Sequence, residues 1–416
     1  VSAGYYASPW PAEDAGPARL QAAGAASGLQ LQPGQRLQST SRNTTLSTMA
    51  VLGDPGEVYL LTHSALRANF GLPTTSCAER IDPLTLKTLD SSGRLPGGPM
   101  WPGGMAIHRN GDLYVVYGRY AHRLDRHCAR KQSHLLPVDQ PYNSFVILDN
   151  GLIVTKNLSD SRVAQLTVLD PEGLQPVCAD VLCPEPSIAR LSAVGNTVYV
   201  VGVGSIFRLH WDEQAQTLRL DPQWQWDYIG PSAQSYGWDV VLDGQSAWFM
   251  DNGHHRYRIR MQGAGVSRTA NRLLRVSLAD CSQHAAWEVS GLPGGSITNP
   301  PLVDGRRSIV LGYDSANRFL RAWRFGVDTH DLQPIWHKKD FGVASHMVLF
   351  PETGQVLVND YRHWGEEVVL VDVESGFERG RVRVGGITQG VVFPSVGWHG
   401  DVYWASMGRF SRVFAV

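Results

Sequence analysis

The sequence predicts an all-β fold: one eight-bladed β-propeller, with a seven-bladed ring as the alternative. Two observations carry this. A hairpin of alternating strands recurs eight times along the chain, at the roughly 40–60-residue period of a four-stranded blade. The composition suits many tight turns between aromatic-rich strands, with 43 Gly, 24 Pro, 13 Trp and 14 Tyr in 416 residues. One closed ring can absorb a length that would otherwise suggest two or three domains.

The clearest hairpin spans residues 105–116 and turns at Asn110-Gly111, a type I′ signal. Residues 145–154 repeat it around Asn150-Gly151, 238–249 around Asp243-Gly244, 302–311 around Asp304-Gly305, and 347–358 around Thr353-Gly354. Weaker copies span 49–61, 188–201 and 391–404. Third strands run into Asp-led turns at Asp82, Asp170 and Asp372, and after the last of these an outer strand covers 379–384. The chain ends on a third strand, 412–416, so one outer strand is missing. The alternating segment 29–38 is expected to supply it, closing the ring and covering an open sheet edge. Residues 1–27 are set apart as an N-terminal arm with a short helix over 12–26, and 28–416 as the propeller domain.

The strand, Asp, two residues, Ser/Thr-Gly and outward strand of 368–384 resemble the repeats of quinoprotein-like bacterial propellers. The resemblance covers most of the chain as repeat shape and implies the ring fold. Quinone enzymes of that kind carry adjacent cysteines near the cofactor and a Trp at fixed blade positions. This chain has no Cys-Cys pair and its Trp residues do not recur regularly, so the fold is carried over and the cofactor is not.

A net charge of −1 gives no electrostatic reason to expect nucleic acid or an anionic membrane as partner. No run approaches the ~18 apolar residues of a membrane-spanning helix. Only five of the 37 basic residues are Lys, a bias that fits an Arg-favouring bacterial genome or an Arg-lined anion site. The pairs Cys178–Cys183 and Cys77–Cys128 are candidate disulfides, with Cys281 left over. Together with a start that lacks Met, they favour a periplasmic or secreted location.

In propellers of this kind the inner strands start on the face that carries the binding site. Residues placed there are Asn143, Arg190, Tyr236, Asp239, Asn299, His346 and Gln389, joined by loop residues such as Lys156, Asp251, Asn252, Arg318, Asp360 and Arg362. Three clusters stand out. Asp251 with His254 or His255 fits a divalent metal or an acid–base pair, and equally a plain Asp-Asn-Gly turn. His346 and Asp360 fit a dyad in which the carboxylate orients the imidazole, or a buried structural His. Asp314 with Asn317 offers oxygen ligands for a cation such as calcium, without the full spacing of a calcium loop. Glu185, fixed between Pro184 and Pro186, is a further candidate ligand or acid. The expectation is therefore an enzyme of lyase, hydrolase or isomerase type. Its catalytic set would be His346, Asp360, His255, Asp251 and Tyr236. A small-molecule or saccharide-like substrate would be held by Asn143, Arg190, Asp239, Asn252, Asn299, Arg318, Arg362 and Gln389. The metal candidates are Asp251, His254, Glu185 and Asp314. The alternatives are a non-catalytic propeller that binds a protein or peptide and, behind it, a quinone-dependent dehydrogenase.

Overall fold

A computed structural model of the chain describes residues 2–24, 29–230, 232–253, 267–297, 299–362, 365–388 and 390–416. Eight antiparallel sheets form the eight blades, so the seven-bladed alternative falls. Blade 1 comprises Ser47–Leu52, Val58–His63, Thr74–Ile81 and Thr88–Ser91. A fifth strand, Leu95–Gly98, adds to its third strand, and nothing in the repeat pattern announced it. The inner strands of blades 2–7 are Gly104–Ile107, Tyr142–Ile147, Ser192–Val194, Val241–Leu242, Leu302–Asp304 and Val348–Phe350. Blade 8 starts at Ser395–Val396 and takes its outermost strand from the N-terminal side, where Leu37–Asn43 pairs with Arg409–Ala415 from Leu37↔Ala415 to Asn43↔Arg409.

The ring is thus closed as expected, but by a strand displaced toward the C-terminus from 29–38. The alternation of Leu29 and Leu31 marks burial rather than ladder pairing: Leu29 is fully buried and Leu31 packs against the core between blades 7, 8 and 1. The Asp-led turns are confirmed in detail. Asp82, Asp170 and Asp372 each accept hydrogen bonds from the backbone N–H groups two and three residues on, which is why the repeat requires Asp there. All five cysteines are free thiols, which corrects both disulfide pairings. No helix of the described residues is long and apolar enough to cross a membrane.

The arm departs most from expectation. Residues 12–26 form no helix beyond a single 3-10 turn, Glu13–Ala15. Instead the segment runs across the axis at the ends of the inner strands. Carbonyls of Trp10, Pro11, Pro17, Ala18 and Gln21 accept from Leu52, Ile107, Ala193, Leu242 and Leu349, in blades 1, 2, 4, 5 and 7. Arg19 reaches Ser144 in blade 3, and Gln21 donates to the Pro301 carbonyl ahead of blade 6. A helix would have kept these carbonyls for itself; the central opening offers them backbone donors in five blades instead.

Candidate functional site

The arm carries its own charges into the axis. Glu13, Asp14, Arg19 and Gln21 are buried, and burial of unpaired charge is costly, so each must find a partner. Arg19 Nη1 lies 2.9 Å from Glu13 and 2.9 Å from Asp14, while its Nε donates to the Leu191 carbonyl. From the strand-start side of the ring come Arg190, Asp239 and His346, each with no solvent exposure. His346 Nδ1 lies 2.8 Å from Asp14 Oδ1, and its Nε2 faces Asp239 Oδ2 at 3.9 Å. Arg190 lies 3.6 Å from Glu13 and 3.7 Å from Asp239, whose Oδ1 also accepts from the Arg190 backbone N–H. The two sides meet as one charge network.

Burial sets the ionisation of this network. Burial pushes Asp14 up, but His346 and Arg19 outweigh it and hold the carboxyl below its usual range. Burial wins at Glu13, which is raised despite Arg19 and Arg190. Lys156 is wholly buried, donates to the Ser187 carbonyl at 3.1 Å, and is lowered to about 7 by desolvation. The backbone that presents these groups is strained: Asp14, Ala15, Arg19 and Gln21 all have φ between 53° and 68°. Left-handed backbone outside Gly costs about 1–2 kcal/mol per residue, and such outliers cluster at functional sites.

A groove of about 460 Å³ lies directly over this network, on the face of the first-to-second-strand turns. Its walls include Tyr5, Pro9, Pro17, Leu20 and Val194; Asp14, Arg19 and Asp149 supply charge. That volume is within the range of ligand pockets, which are mostly apolar with a few convergent polar groups. The sequence reading expects a binding site on the opposite, strand-start face, with the arm as an appendage.

The anticipated residues divide accordingly. Arg190, Asp239 and His346 converge on the axis, and His346 does meet a carboxylate, but it is Asp14. Asp360 instead accepts from Arg318, Gly342 N–H, Arg362 and Arg381, so Asp360, Arg318 and Arg362 form a cation cluster in blades 6 and 7. Asn299 ties the Ala344 and Gly390 carbonyls together. Asn252 fastens its loop through Gly295 and Ser235, and half-buried Tyr236 packs on the core. Asp251 pairs with Arg272 at 2.7 Å, and burial still raises it to about 6. Glu185 accepts from Gly204 and Ser205, and Asp314 from Ser290, Ser296 and Asn317. Asp251, Glu185 and Asp314 belong to different blades, and no group of three metal-ligating side chains forms among the described residues. His254, His255 and Gln389 lie outside the described residues, as does the side chain of Asn143. Glu13, Asp14, Arg19 and Gln21 escaped the sequence reading; the one signal was two acids and an Arg set in an otherwise small and apolar arm.

No family model matches the chain, and no curated protein matches it in sequence. Solved structures do match in shape. Quinohemoprotein alcohol dehydrogenase from Comamonas testosteroni superposes with a TM-score of 0.65 at 11% identity, over 97% of this chain and 80% of that one. A europium-containing methanol dehydrogenase gives 0.64 at 10% identity, over 100% and 98%. BamB from Moraxella catarrhalis gives 0.57 at 12%, over 91% and 99%. The chain therefore has the eight-bladed fold of the quinoprotein-like propellers, and at these identities the likeness concerns the fold alone. The axis does not fit a planar quinone. Phe393 packs on both His346, with ring centroids 4.2 Å apart, and the Arg190 guanidinium at 4.5 Å. Trp101 and Trp238 meet tilted at 35° rather than leaving a flat slot, and the free thiols include no adjacent pair.

Proposed function

We propose that this chain binds a small molecule in the groove over the arm, and that Asp14, backed by His346 and Arg19, is the fixed charge beneath it. The observation that carries the reading is that a ligand-sized groove is lined in part by Asp14, whose carboxyl His346 and Arg19 hold below its usual range. A carboxylate so held is a weak base, and its part in chemistry is to stabilise positive charge that develops on a bound substrate. This is the non-redox, lyase, hydrolase or isomerase class of chemistry. The fold neighbours whose names denote dehydrogenases do not add to it. A periplasmic or secreted location stays part of the proposal, although the free thiols remove its disulfide support.

The test is a thermal-shift and turnover panel of small esters, lactones and glycosides on the full chain, with Val194→Trp to fill the groove and His346→Gln to disturb the carboxylate. The reading expects a stabilising compound whose effect Val194→Trp abolishes and whose turnover His346→Gln lowers. A compound that stabilises wild type and Val194→Trp equally would overturn it. A second reading, docking of a peptide segment, draws on the exposed apolar wall, where Leu20 and Val194 are 38% and 44% exposed. It expects the panel to be silent and a proline-rich peptide to be blocked by Val194→Trp.

A further inference from the structure

The charges lining the groove differ in how far they are satisfied. Arg19 directs Nε and both terminal nitrogens to Leu191, Glu13, Asp14 and Ser144, so little of its donor capacity is left for a ligand. Asp149, at the turn of blade 3, is different. Its Oδ1 accepts from the Ser2 hydroxyl and the Ala3 N–H, while Oδ2 has no donor among the described residues. The Tyr5 hydroxyl is taken by the Ile147 N–H. The groove thus shows an incoming molecule apolar walls and a carboxylate oxygen of Asp149 at the side, with the Asp14 carboxylate buried beneath. Among the described lining residues Arg19 is the one cation, against Asp14 and Asp149, and Arg109 donates to the Asp149 backbone carbonyl beside it.

We propose, building on the small-molecule reading above, that the ligand is an organic amine: an apolar body carrying a protonated nitrogen that donates to Asp149 Oδ2. An anion would meet the Asp149 carboxylate and find the guanidinium groups of Arg19 and Arg109 already engaged. A neutral polar group would give Asp149 Oδ2 an uncharged hydrogen bond in place of the stronger charge-assisted one. The test compares three probes of one shape, benzylamine, benzyl alcohol and benzoate, by calorimetry on the full chain. Saturable binding of benzylamine is expected. It should weaken about tenfold with Asp149→Asn, the effect of losing a charge-assisted hydrogen bond, and weaken again at high salt. Asp149 is partly exposed, so this variant spares the buried network; an unchanged melting temperature confirms that. Benzyl alcohol or benzoate binding as tightly as benzylamine, or benzylamine binding that ignores Asp149→Asn, overturns the amine. If no probe binds but another compound is blocked by Val194→Trp, the amine falls and the groove stands. Benzylamine binding that survives Val194→Trp removes the groove itself.

Discussion

At the scale of the residue, the axial network ties stability to a handful of ionisable groups. Removing one partner of a buried ion pair leaves the other uncompensated, at about 3–5 kcal/mol. Asp14→Asn and His346→Gln should each lower unfolding free energy by about that much, and the double variant by less than the sum of the two. Urea denaturation checks this, and two near-neutral single variants would show that the pair holds nothing. Lys156 makes a separate prediction. It is lowered by burial from 10.5 to about 7, so between those values the unfolded chain binds one more proton than the native one. Stability should then rise with pH across that window, because the slope is positive wherever the unfolded state holds more protons. Lys156→Met should remove that part of the pH dependence, seen as a flatter difference between urea midpoints at pH 7 and pH 9.5. His346 was legible as a buried axial His beside a carboxylate. Asp14 was not its expected partner, because proximity between residue 14 and residue 346 is created only by ring closure.

At the scale of the element, hairpins and turns were readable because their chemistry is local: alternation, Asn-Gly, and Asp accepting from the next turn's amides. The arm, the closing strand and the extra strand of blade 1 were misread or missed because their partners are remote in sequence. Leu37–Asn43 is a polar strand that pairs with the last strand of the chain, and no local pattern separates it from a loop. The extra strand depends on a close approach that can be tested. Gly118, at φ +59°, stands where an added Cβ would come within 2.5 Å of the Gly97 carbonyl carbon. Gly118→Ala combines a disfavoured backbone with a backbone clash and should destabilise by about 2 kcal/mol or more. A melting temperature unchanged by the substitution would mean that blade 1 does not clasp blade 2 there.

At the scale of the whole molecule, the arm is what fills the axis with charge. It crosses the opening, bonds to seven blades, and brings Glu13, Asp14 and Arg19 to meet Arg190, Asp239 and His346. Because one segment contacts so many blades, the ring should unfold in a single cooperative step, with tryptophan fluorescence and far-ultraviolet circular dichroism giving coincident transitions. Ligand access is then expected from the turn face, beside the arm, rather than from the strand-start face. A crystal structure grown with whichever compound stabilises the protein decides this most directly. The account predicts its density in the groove between Leu20 and Val194, within contact of Asp14; density on the strand-start face near Tyr236 and Asp251, with the groove empty, would contradict it.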